Sequence, residues 1–185
     1  QPFLQCCFNN PDYRGFHLAM VEDLARNYPL DGVFVLPHER FGPIESTLIG
    51  GNLPTCFCAH CVAKGEARNI DVAAARAGFQ RLWDFAQRSP SGSPDLSGRD
   101  GALTEFLRLL VEFPAIIQWE KLWVDSVLEY QRHLHQRVKS ADPRLPLGVH
   151  VWQGASWGLL HRAEVLYERL AECADWIKPV LYDKP

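Results

Sequence analysis

The stretch LDGVFVLPHER, residues 30–40, carries the decision about the fold. Val33, Phe34, Val35 and Leu36 run without a polar residue between Gly32 and Pro37. So short an apolar run, bounded by turn formers, reads as a strand buried on both faces, as in a parallel sheet. Just upstream, YRGFHLAMVEDLARNYP (13–29) sets Phe16, Met20, Val21, Leu24 and Ala25 at helical spacing. Asn10 or Asp12 can cap that helix, and Pro29 stops it. A helix, an Asp-Gly turn and a buried strand make an α/β unit.

The same alternation continues outward. RLPLGVHVWQ (144–153) and DWIKPVLYD (175–183) read as two further strands. Helices are expected over 71–88, 103–113, 115–140 and 161–174. The longest steps by threes and fours through Ile116, Trp119, Trp123, Val127, Tyr130, Leu134 and Val138, with Lys121, Asp125, Glu129, Arg132 and Lys139 on its wet face. In 161–174, Val165, Leu166, Leu170 and Cys173 face inward. Residues 41–61 and the Ser/Gly/Pro-rich 89–101 read as loops. Strands separated by helices predict parallel pairing through right-handed crossovers. Each strand run ends in polar or aromatic residues: His38-Glu39-Arg40, His150 with Trp152-Gln153, and Tyr182-Asp183-Lys184. Carboxyl ends of strands are where such folds keep functional groups. Three strands cannot close a barrel, so the sheet is either small and open or part of a barrel.

PTCFCAHCVAKG (54–65) crowds Cys56, Cys58 and Cys61, half of the six cysteines, into one turn. Neighbours this close do not bridge easily, whereas thiolates on a turn can converge on one Zn²⁺. A fourth ligand would make the site structural, and an open position would make it catalytic. His60 is the local candidate for the fourth place, with Cys6, Cys7 and Cys173 the distant ones.

The 185 residues, 47% of them hydrophobic with a net charge of −3, suit one soluble domain over 1–185, with a zinc-knuckle loop at 52–64. A pI near 6.2 and the lack of a basic run argue against nucleic acid as a partner. No apolar run approaches the ~20 residues of a membrane span. The start QPFLQCC has no Met, basic segment or apolar leader. That points to a fragment or processed product and favours the cytoplasm. Six cysteines in a chain this long are too few for a disulfide scaffold.

CFNNPDYR (7–14), VLPHE (35–39) and CFCAHC (56–61) together resemble the (β/α)8 β-galactosidases of glycoside hydrolase family 42. Those enzymes carry a Cys-x-Asn-x-Pro-x-Tyr-Arg stretch, an Asn-Glu pair ending strand four and a Cys-x-Cys-x-x-Cys loop. The chain is also similar to glycoside-hydrolase-like barrel proteins whose fourth strand ends in a Ser-Glu-Arg-like triplet. The resemblance implies a partial TIM barrel, about strands four to six with their helices. It implies Cys7, Cys56, Cys58 and Cys61 as ligands of a structural Zn²⁺, and Glu39 as the acid/base of a retaining glycosidase. The Asn that precedes this Glu in the family is His38 here, and the nucleophile belongs to a strand that these residues do not include.

Glycoside hydrolysis needs two carboxyl groups flanking the bond, one protonated and one ionised. A Glu39 beside an apolar strand end can have its pKa raised by burial, as an acid requires. The plain alternative is a Glu39–Arg40 ion pair. His38, Arg40, Trp152, Trp157 and Tyr182 are the candidate contacts to a carbohydrate substrate, the indoles as stacking faces. Glu45 and Asp183 are the other carboxylates expected near that rim. With no carboxylate at the nucleophile's position, these residues alone are expected to be inactive. Two other classes fit the same residues: a non-catalytic carbohydrate-binding or pseudo-enzyme module, and a zinc-stabilised α/β interaction domain.

Overall fold

Three strands pair in parallel in the order β1-β2-β3, as the alternation predicts: β1 (Val33–His38), β2 (Leu147–Val151) and β3 (Trp176–Pro179). The protein is mixed α/β and mostly helical around this small sheet. The structure, a computed structural model, describes residues 6–38, 41–50, 56–88, 101–151 and 159–179. Val33 lies opposite Leu147, Phe34 opposite Gly148 and Val35 opposite Val149, and after an irregularity His38 meets Val151. On the other side Gly148 meets Trp176, and Val149 meets Ile177.

The chain divides into two compact units, Gln1–Phe41 with Val124–Pro185, and Gly42–Trp123. The first contains the sheet, α1 (Pro11–Asn27), α7 (Leu159–Glu164) and α8 (Tyr167–Leu170). The second contains α2 (Pro43–Gly50), α3 (Ala59–Glu66), α4 (Val72–Arg88) and α5 (Ala102–Glu112). The long helix α6 (Ala115–Ala141) contributes residues to both.

In the first unit, side chains alternate across the sheet. Val149, Val151 and Ile177 join Leu128 of α6 and Val165, Leu170 and Cys173 in one apolar cluster. Asn10 caps α1, its side chain accepting from the N–H groups of Asp12 (2.8 Å) and Tyr13 (3.2 Å), with Pro11 opening the helix. Gly148 leaves room for the Trp176 indole, since a Cβ there would stand 2.1 Å from its ring. Trp176 in turn stacks on Phe34 with centroids 5.2 Å apart.

Several expectations need correction. β1 is not buried on both faces: Phe34 is 38% and Leu36 46% exposed. The middle strand β2 is buried throughout. Among the described residues β1 lies at an edge of the sheet, paired with β2. Phe16 and Met20 of α1 are likewise exposed, and only Val21 of its stripe is buried. Part of the 41–61 loop is the helix α2. Its amide at Ile44 donates to the Glu120 carboxylate of α6, 2.8 Å away. This cap comes from 76 residues along the chain, so no local pattern announces it. The helix expected over 161–174 breaks at Leu166, whose backbone is extended (φ −86°, ψ 110°). The break turns Leu166 outward while Val165 and Leu170 both stay in the cluster.

The second unit is helical. α4 packs against α2, α3 and α5 and buries Ala75, Gly78, Phe79, Leu82 and Phe85. Gly78 permits close approach, because a Cβ there would meet Ile116 Cγ1 at 2.7 Å and Phe113 Cβ at 2.8 Å.

Candidate metal centre

Cys58 sits at the N-cap of α3 in extended backbone, and its carbonyl accepts from the Val62 N–H at 2.9 Å. Cys61 follows in the first turn and is buried. The turn that delivers Cys56 and Cys58 is held by the residue between them. Phe57 stacks on Trp119 with centroids 4.4 Å apart and planes 13° apart, and meets Phe79 edge-on at 5.9 Å. Its carbonyl accepts from Arg76 Nη2 at 3.0 Å, and the same guanidinium lies 4.8 Å from its ring centroid. Trp119 is itself buried and closes onto α3 at Gly65, where a Cβ would be 2.6 Å from the indole Cζ3.

Cys7 is built in the same manner. The residue after it, Phe8, is buried and packs against Tyr130 (5.1 Å) and Tyr13 (6.4 Å). The Phe8 carbonyl accepts from Arg14 Nε, and Arg14 is paired with Glu129 at 2.6 Å. The Cys7 sulfur accepts from the backbone N–H of Asn9 at 3.3 Å, and the Cys7 carbonyl from that of Asn10 at 3.1 Å. An amide aimed at sulfur favours a thiolate there.

The sulfurs of Cys7, Cys56, Cys58 and Cys61 all lie within 4.8 Å of one another. None of the six cysteines is in a disulfide. Zn–S bonds of about 2.3 Å in a tetrahedron set sulfurs near ~3.8 Å apart, a spacing that lies inside the 4.8 Å bound on the four sulfurs here. The donor set also fits chemically: four soft thiolates suit Zn²⁺ and leave no position for water. The other candidates for the fourth place are not in this group. His60 and Cys6 are exposed, and Cys173 is buried in the first unit. The Cys173 thiol donates toward the Arg169 carbonyl at 3.6 Å, and burial pushes its pKa up, which marks an inert core thiol.

Of the residues expected at the carbohydrate rim, Glu39, Arg40, Trp152, Trp157 and Tyr182, with Asp183, lie outside the described residues. His38 is the last residue of β1, in register with Val151 at the end of β2. Glu45 belongs to the second compact unit. It lies in the first turn of α2, buried, and burial raises its pKa. Sequence reading missed Phe57, Trp119 and Arg76. A large aromatic between two cysteines was the available signal, since a solvent-facing turn has no use for one. No family model, no curated protein and no solved structure matches this chain.

Proposed function

We propose that Cys7, Cys56, Cys58 and Cys61 hold one structural Zn²⁺ and that the protein is a zinc-stabilised α/β module of a carbohydrate-active hydrolase. The observation that carries the metal reading is the convergence of four sulfurs within 4.8 Å. Bound there, zinc supplies cross-linking rather than Lewis-acid chemistry, because four thiolates complete its coordination. The protein's own part is to present the sulfurs in advance, through the buried anchors Phe8 and Trp119 and the α3 turn. Metal analysis is expected to find about one zinc per chain, and Cys58→Ser to lose it. A chain purified from zinc-containing medium without metal rules the centre out.

The hydrolase reading has separate support. Strands consecutive along the chain pair in parallel in the order β1-β2-β3, as neighbouring strands of a (β/α)8 barrel do. One sheet face packs on helices, while the other presents Phe34, Leu36 and Trp176, which are 38%, 46% and 41% exposed. A barrel interior is apolar and filled by facing strands, and such a face suits it. Glu39 directly follows the last residue of β1 in sequence, the position of a barrel acid/base. In this reading three strands contribute Glu39 and the rim, and the nucleophile comes from outside the 185 residues. The isolated chain therefore does not turn over aryl glycosides, and the parent protein does. Glu39→Gln in the parent is expected to slow hydrolysis by about 10²–10⁴-fold, with a smaller loss on substrates with activated leaving groups. An undiminished rate removes Glu39 from the mechanism and leaves the metal centre untouched.

A further inference from the structure

We infer that Arg76 is a positioning residue of the metal centre, holding the Cys56–Phe57–Cys58 turn in its ligating form and setting positive charge beside the thiolates. This rests on the zinc reading above. α4 begins under the cap of Asp71, whose carboxylate accepts from the Ala74 N–H at 2.9 Å, so Arg76 stands at a fixed place one turn in. From there its guanidinium donates to the Phe57 carbonyl at 3.0 Å and lies 4.8 Å from the Phe57 ring centroid. The Phe57 carbonyl belongs to the peptide that leads into Cys58. A donor on that oxygen fixes the peptide plane, and with it the direction in which Cys58 leaves the turn. The ring is fixed independently, by Trp119 at 4.4 Å and Phe79 at 5.9 Å.

The charge matters as well as the hydrogen bond. A zinc ion with four thiolates carries a net double negative charge. An arginine held on the residue between Cys56 and Cys58 offsets part of it. Arg76 is exposed, so it serves no core. Arg14 makes the matching contact on the carbonyl of Phe8, beside Cys7. Each stretch of chain that brings a ligand thus carries a phenylalanine next to the cysteine and an arginine on that phenylalanine's carbonyl. Groups that orient metal ligands without touching the metal typically govern affinity by about 10–100-fold.

The test uses the full chain, its Arg76→Lys and Arg76→Met variants, and two probes, Co²⁺ and Zn²⁺. Co²⁺ reports the ligand set through its thiolate-to-metal charge-transfer band, and Zn²⁺ release to excess chelator reports retention. Wild type and both variants are expected to bind one ion and show the same band. Arg76→Met should release zinc about 10–100-fold faster than wild type. Arg76→Lys, which keeps the charge and one donor, should recover most of the difference. Equal release from wild type and Arg76→Met overturns the assignment. A lysine variant no better than methionine also overturns it, because packing alone would then explain the loss. A wild-type chain with no charge-transfer band fails differently: it removes the metal centre itself, before Arg76 is in question.

Discussion

At the scale of single residues, the candidate centre depends on groups that are not ligands. Phe57 inserts between two cysteines and fastens the turn to Trp119 and Phe79, and Gly65 lets Trp119 come close enough to do so. Gly65 lies inside α3, where alanine is ordinarily better by about 1 kcal/mol. Yet a Cβ at this position would stand 2.6 Å from Trp119 Cζ3, and Trp119 is 2% exposed and cannot swing into solvent. Overpacking of this kind costs about 1–3 kcal/mol. The clash therefore outweighs the propensity gain, and Gly65→Ala is expected to lower the urea midpoint rather than raise it. A stabilised Gly65→Ala protein would show that the indole can retreat, and the account of how the turn is held would fail with it.

Among the elements, β2 and β3 are joined at their starts by Asp175. Its backbone N–H donates to the Leu147 carbonyl at 2.8 Å, and its carboxylate accepts from the Leu147 N–H at 2.7 Å and pairs with Lys139 at 2.9 Å. Burial pushes this carboxyl up, but the Leu147 hydrogen bond and the Lys139 charge together outweigh burial and leave it below the ordinary aspartate value. A depressed folded-state pKa stabilises the fold above the unfolded value, near ~3.9. That contribution is lost as pH falls through the folded pKa. The side chain is about a third exposed, so after solvent screening the ionic part amounts to under ~1 kcal/mol. Asp175→Asn is expected to be less stable than wild type at pH 7, with the gap closing in acid once the pH has fallen through the folded pKa. Denaturant midpoints at pH 7 and in acid check this, and a gap that persists in acid would assign the effect to packing instead.

For the molecule as a whole, apolar burial and metal ligation are separate sources of stability. Each compact unit has buried side chains of its own: Leu134, Leu147 and Leu170 in one, Phe79, Leu82 and Ile116 in the other. On the zinc reading, metal adds to these, since ligation that exists only in the folded state counts as folding free energy. Structural zinc can supply on the order of 10 kcal/mol, and a chain of this size shifts its Tm by roughly 2–4 °C per kcal/mol. Stripping the protein with a strong chelator is therefore expected to lower Tm by more than ~10 °C, with recovery on adding zinc. Cys58→Ser should melt like the stripped protein and not respond to zinc. Melting that ignores both chelator and Cys58→Ser would leave the fold resting on its apolar cores alone.

Local pattern was enough for the elements whose cause is local. The apolar run at 33–36, a cap at Asn10 or Asp12, and the three- and four-residue steps of α6 depend on neighbours in sequence, and β1, α1 and α6 stand within a few residues of where those signals put them. The cysteine spacing marked a candidate metal site for the same reason, since one turn carries three of the four clustered sulfurs. Tertiary structure decided what depends on distant chain. It brought Cys7, rather than His60, Cys6 or Cys173, to the other three sulfurs. It made a helix of Pro43–Gly50 by lending it Glu120 as a cap, and thereby buried Glu45. It left one face of β1 exposed, because hydrophobic spacing records that a side chain can be buried and not whether a second layer arrives to bury it.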